Sequence, residues 1–243
     1  MYKSLLVSIM VLIALTLISC DSNQPKGTKI SSKVYVAGAM KNVMMKGELF
    51  GTVDLDTISN KDHLYGLGPV EYLTGEILIA DGKSYVASVK SDSTMNVTET
   101  FKTKAPFLVY ANVSNWREQR LPDSVQSQKQ LESYLDALTK NAERPFAFKL
   151  TGKIESANYH LVNLSPGSKV TSKEDAHVGE VKFQITNEAV QLIGFFSTEH
   201  KGIFTHHDSF IHVHLLTEDK TKMGHLDEVR FGKGNFNLYL PLD

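Results

Sequence analysis

The chain has 243 residues, 26 basic and 27 acidic side chains, 42% hydrophobic and 22% charged residues, which is the make-up of an ordinary globular protein with one large or two small cores. Near-neutral charge without a basic patch excludes nucleic acid as a partner class. The lone cysteine, Cys20, excludes disulfides and leaves the folded part without a thiolate nucleophile or thiolate metal ligand.

In chain order, residues 1–19 form a targeting segment: Lys3 gives a positive start and Leu5 to Leu17 an apolar core too short for a comfortable membrane span. It ends in Leu17, Ile18, Ser19 and Cys20, which resembles the lipobox of bacterial lipoproteins. That resemblance implies lipidation of Cys20 as the first mature residue and an exported protein held at the membrane of the cell envelope. Residues 20–33 are polar, with Pro and Gly, and read as a flexible tether.

Residues 34–145 read as a mixed α/β domain. Val34–Val36 is a first strand, Met40–Met45 a short helix closed by Gly47, and Leu49–Ser59 a further, mildly amphipathic helix. From Tyr65 to Val86 the pattern is strand, turn, strand, with the turn at Asp81-Gly82. Glu76 abuts the apolar run Ile77–Ile79, as either a solvated strand end or a partnered acid. Phe107–Ala111 is another strand. A helix follows, capped by Asp123, with Leu131, Tyr134, Leu135 and Leu138 as its apolar stripe.

Residues 146–243 read as a β domain. Phe146–Leu150 and Lys153–Leu164 are strands separated by a turn at Thr151-Gly152. Val178–Ile185, Ala189–Phe196, Phe204–Leu216, Leu226–Phe231 and Asn235–Leu240 complete it. The expected class is α+β: two mainly β-sheet domains with a few helices and a metal site in the cleft between them.

Six of the nine histidines fall between His200 and His225. In Phe210–Leu216, Ile211, Val213 and Leu215 alternate with His212 and His214, so a strand turns both histidines to one face. The polar stretch Thr217–Gly224 suits a hairpin turn, and a turn centred near Asp219 and Lys220 sets His225 opposite His214. Three imidazoles would then converge as in a three-histidine metal site with open positions. The same spacing also allows ordinary polar-face histidines on a half-exposed strand.

Several stretches together resemble the bacterial alpha-acetolactate decarboxylases, in a divergent lipoprotein form. They are Gly66-Leu67-Gly68-Pro69, Leu73-Thr74-Gly75-Glu76, the Asp81-Gly82 turn, Ala105-Pro106-Phe107, Ile193-Gly194-Phe195, the FIHVHL segment and Met223-Gly224-His225. The resemblance implies a carbon–carbon lyase that converts 2-acetolactate, a small 2-hydroxy-3-oxo acid, to acetoin and carbon dioxide. It further implies Zn2+ on His212, His214 and His225, with Glu76 as the acid/base carboxylate. The family's substrate-contacting arginine has no counterpart, since no arginine lies between Arg144 and Arg230. His160 is the best substitute for its charge. The family's C-terminal glutamate also has no counterpart before Asp243. A non-catalytic or differently specific zinc-binding lipoprotein of the same fold remains an alternative, and a homodimer is left open.

Overall fold

The structure, a computed structural model, describes residues 33–242; the signal segment, Cys20 and the tether up to residue 32 lie outside the described residues. The elements in order are β1 (Val34–Ala37), α1 (Met40–Lys46), β2 (Val53–Asp54), β3 (Leu64–Pro69), β4 (Glu76–Ala80), β5 (Lys83–Ser91), β6 (Thr94–Glu99), β7 (Lys104–Ala105), β8 (Leu108–Asn112) and β9 (Trp116–Arg120). They continue with α2 (Gln128–Leu138), β10 (Phe146–Leu161), α3 (Lys173–Ala176), β11 (Val181–Thr186), β12 (Ala189–Phe196), β13 (Ile211–Thr217) and β14 (Met223–Pro241). Two short 3-10 turns, Leu55–Thr57 and Glu71–Leu73, lie in the first part.

Two six-stranded antiparallel sheets carry the fold. The first runs β1-β8-β3-β4-β5-β6. The second runs β11-β10-β12-β13-β14-β9, and a further β10–β14 pairing closes β10, β12, β13 and β14 on themselves. β9 therefore belongs to the second sheet, although it precedes Phe146.

Strand alternation fixes what each sheet buries. Ile211, Val213 and Leu215 fill a core within the second sheet, together with Phe146, Phe148 and Tyr159. The opposite parity faces the first sheet, where Ile193, Phe195, Leu216 and Met223 pack on Tyr65, Leu67, Leu78 and Val109. Full burial of each such aliphatic or aromatic side chain stabilises by about 1.5–3 kcal/mol. A third cluster, with Met40 and Val43 of α1, Phe107, Val162 and Ala176 of α3, covers one end of the seam.

Several elements depart from expectation. Leu49–Ser59 forms no α-helix: Val53 pairs with Ala105, and the Asp54 side chain accepts from Asp56 N to close a single 3-10 turn. The N-cap of α2 is Ser127, whose hydroxyl accepts from Gln130 N, whereas Asp123 accepts from Gly234 N. Phe204–Ser209 is turn and irregular loop, with one isolated bridge at Thr205, and the strand begins only at Ile211. The last two expected strands are one, β14, with an interruption in its β10 pairing between Phe231 and Phe236. The loop from Asn163 ends in α3, held by a capping box between Ser172 and Asp175.

Thr151-Gly152 is likewise no turn, since β10 runs through it unbroken from Phe146 to Leu161. Gly152 serves close approach: a Cβ there would stand 1.9 Å from Asn235 O and 2.8 Å from the Phe236 ring. Both are on β14, so backbone would have to move. Gly152→Ala is therefore expected to lower the urea midpoint, by a loss of stability of about 1–3 kcal/mol, the usual cost of overpacking. An unchanged midpoint would show that the strands part without cost.

Candidate metal centre

Hairpin register builds the site. Asp219 accepts from Thr217 Oγ1, Thr221 N and Thr221 Oγ1, and Lys220 takes a left-handed φ of 63°, which fixes the turn between β13 and β14. These bonds hold the Asp219 carboxyl down at about 2. Leu216 then pairs with Met223, Leu215 with Gly224, and His214 with His225. The row continues, because His225 also pairs with His160 on β10. His160, His225 and His214 are thus successive cross-strand neighbours, with Cβ atoms about 4.5–5.5 Å apart on one face. Gly224 lets β14 lie this close, since a Cβ there would be 2.6 Å from His160 O.

His212 stands two residues along β13 on the same face. Its Nε2 is 3.2 Å from His214 Nε2 and 3.0 Å from His225 Nδ1. Zn–N bonds of about 2.0–2.1 Å in tetrahedral geometry place ligand nitrogens about 3.3–3.4 Å apart, so the converged atoms are close to the edge of such a polyhedron. His212 and His214 are fully or almost fully buried, and His225 is 9% exposed. Their Nδ1 atoms (His212 and His214) make no hydrogen bond of normal geometry, although the backbones of Phe204 and Ile77 lie near enough to favour the protonated rings. Burial, and then the neighbouring imidazoles, drive His212 and His225 well below the ordinary value and His214 to about 3. Three neutral imidazoles with clustered lone pairs are the donor set that a transition-metal dication takes. The residues fit zinc.

Glu76 comes from the other sheet. It opens β4 with the parity of Leu78 and Ala80, which face the seam, and its Oε2 lies 3.7 Å from His214 Nε2. It is 3% exposed. Burial raises its carboxyl to about 8, against the opposing charge of His160 and a backbone hydrogen bond from Val162. A cation on the histidines would lower that value. Of the two expectations for Glu76, solvated strand end or partnered acid, the second describes its surroundings.

His160 is buried beside the cluster, its ring 4.7 Å from that of His225. Burial opposes its charge, but the hydrogen bond to Asp227, the charge of Asp227 and those of Glu76 and Glu180 outweigh burial and raise its pKa. Arg117 and Arg120 lie on β9, paired with Leu240 and Asn237 at the opposite end of β14 from His225. Four nearby residues had no role in the sequence reading: His177, Glu180, Asp227 and His206, whose Nε2 is 3.3 Å from His225 Nε2. The signal for Asp227 was its place two residues past His225. The others sit in loops, two of them just past a one-turn helix, where no period marks them. A cavity of about 20 Å³, room for about one water, is lined by Glu76, His160, His177, His206, His212 and His225 among others. His160, His177, His206 and His225 also border an open groove of about 1230 Å³, the route by which a ligand would arrive.

Without metal, these burials make stability depend on pH. Burial is the first cause that holds His206, His212, His214 and His225 low, with His206 at about 4. Unfolding returns them to about 6.5, so the unfolded chain takes up protons that the folded chain refuses, and stability rises with pH from about 4 to 6.5. Glu76 acts oppositely, because folded it keeps its proton up to about 8, and its contribution is lost as pH rises from 4.5 to 8. His160, raised, also loses its contribution as pH rises through its folded value. Below 6.5 the four lowered histidines outweigh Glu76 and His160. Urea unfolding of metal-stripped protein, taken from about pH 6.5 down to about pH 5, is expected to show stability falling as pH falls. A flat profile would contradict a buried neutral cluster.

A family model described as alpha-acetolactate decarboxylase matches residues 34–240. The chain is 27% identical over 203 residues to the alpha-acetolactate decarboxylase of Brevibacillus brevis, which covers 81% of this chain and 66% of that protein, just under two thirds of its length. It is 26% identical over 208 residues to the enzyme of that name from Lactococcus lactis subsp. cremoris, covering 84% of this chain and 78% of that one. The crystal structure of acetolactate decarboxylase from Bacillus subtilis subspecies spizizenii superposes with a TM-score of 0.71 at 18% identity over 86% of each chain, which shows a shared fold. With the match extending across both sheets and every residue of the histidine cluster, the chain belongs to the alpha-acetolactate decarboxylase family.

Proposed function

We propose that the protein is a carboxy-lyase that converts 2-acetolactate to acetoin and carbon dioxide, with a zinc ion held by His212, His214 and His225. The observation that carries this reading is Glu76, a buried acid from one sheet that meets three converged imidazoles of the other, in a chain of this family. When bound, the zinc supplies Lewis-acid stabilisation of the negative charge that develops on substrate oxygens.

The rest falls to the chain's own groups. Departure of carbon dioxide breaks a carbon–carbon bond and leaves its electron pair on the carbinol carbon, delocalised through the neighbouring ketone as an enediolate. Glu76 hands its carboxyl proton to that carbon, forms the new C–H bond and regains a proton from water. Because the acid stands on one side of the cavity, one face of the enediolate is protonated and the product is chiral. His160, with Asp227 on its Nδ1, carries positive charge toward the substrate carboxylate before it leaves. The missing arginine between Arg144 and Arg230 favours a second reading, a related 2-hydroxy-3-oxo acid as substrate.

Acetoin formation from racemic 2-acetolactate, with metal content measured on the same samples, tests the assignment. Glu76→Gln is expected to keep its metal and lose about 10²–10⁴-fold in turnover. His212→Ala is expected to lose metal and turnover together. Metal-loaded wild-type protein that makes no acetoin would overturn the decarboxylase reading.

We also propose that the protein is exported and anchored through a lipid on Cys20. The Leu17–Cys20 sequence supports this. Cells fed radiolabelled palmitate should label the wild-type chain and not Cys20→Ala; equal labelling of both would refute the anchor.

A further inference from the structure

We propose that His160, His177 and Glu180 form a second divalent-cation site, on the groove side of the three-histidine cluster. One ligand atom from each lies within 4.8 Å of the others. Glu180 Oε2 stands 3.5 Å from His160 Nε2 and 3.8 Å from His177 Nε2. The two imidazoles are oriented from behind. His177 Nδ1 lies 2.6 Å from the carbonyl of Lys173, which can only accept, so Nδ1 carries the hydrogen and a neutral ring turns its Nε2 lone pair to Glu180. His160 Nδ1 lies 2.7 Å from Asp227 Oδ1. A carbonyl or carboxylate behind the far nitrogen is the outer-shell arrangement that orients metal-bound histidines.

Glu180 supplies the independent observation. Its side chain is only 10% exposed, and Oε2, the oxygen aimed between the two rings, is buried without a hydrogen bond. Lys182 Nζ lies 3.6 Å from the other oxygen, Oε1, whereas Oε2 has only the two Nε2 atoms near it, at ion-pair rather than hydrogen-bond geometry, and a cation between the three would satisfy them together. The backbone holds it there. The Ser172–Asp175 capping box fixes α3, and Gly179, at φ +79°, brings the chain so close to Asn163 that a Cβ would stand 2.5 Å from its carbonyl oxygen.

Two imidazoles and a carboxylate with open positions suit the borderline dications Zn2+, Fe2+ or Co2+. The two sites adjoin, because His160 pairs with His225 and both triads reach the same small cavity. The site stands on geometry alone and does not depend on the substrate assignment.

Equilibrium dialysis of the metal-stripped full chain against excess Zn2+, with zinc counted by mass spectrometry, tests it without an activity readout. Wild type is expected to hold two equivalents. His177→Ala and the isosteric Glu180→Gln should each hold one, and His214→Ala should keep one at the second site. One equivalent in wild type, unchanged in His177→Ala and Glu180→Gln, would overturn the proposal and leave a His160–Glu180 ion pair in its place. Two equivalents retained by both variants would overturn it equally.

Discussion

Cross-strand pairing is the constraint on which the rest depends. His214 faces His225, and His225 faces His160, only because the β13–β14 turn and the β10–β14 ladder hold one register. A slip of one residue on β13 would send His212 and His214 into the core now filled by Val213 and Leu215, and bring those aliphatics out to the seam. Register here is the same thing as the site. That explains why the turn is so thoroughly bonded through Asp219, and why a glycine stands beside His225 where β14 lies close against β10.

The second sheet supplies the three neutral imidazoles. The acid arrives from the first sheet, where the same two-residue alternation that buries Leu78 and Ala80 against the second sheet also directs Glu76 there. Packing the two sheets is therefore what assembles the chemistry. The shared core between Leu67, Leu78 and Val109 on one side and Ile193, Phe195 and Leu216 on the other does more than stabilise. It strips water from Glu76 and from the histidines, which keeps the carboxyl protonated and the rings neutral in the metal-free chain. Desolvation of this kind, in a set of groups that all titrate, is what a functional site looks like before its ligand is present.

Much of this was legible in the sequence because it rests on period two. The alternation in Phe210–Leu216, the polar turn and the Asp81-Gly82 hairpin each have a local signature, and each element stands where the pattern put it. What escaped was set by contacts distant in sequence. Leu49–Ser59 has a helical rhythm, but pairing of Val53 with Ala105 and the Asp54 cap outcompete it. Gly152 reads as a turn when its use is to admit the backbone of Asn235. His177 and Glu180 lie just past a one-turn helix whose order comes from its capping box, so no periodicity marks them. Glu76 shows the middle case: the sequence located it at a strand start, and only the parity of the whole sheet decided that it points inward.

The central claim is that the hairpin row is a metal centre. An anomalous-difference map recorded at the zinc edge, from crystals of the zinc-loaded protein, tests it directly. The account predicts a peak about 2.0–2.1 Å from one ring nitrogen each of His212, His214 and His225. Zinc-loaded crystals with no anomalous density among these three rings would contradict it.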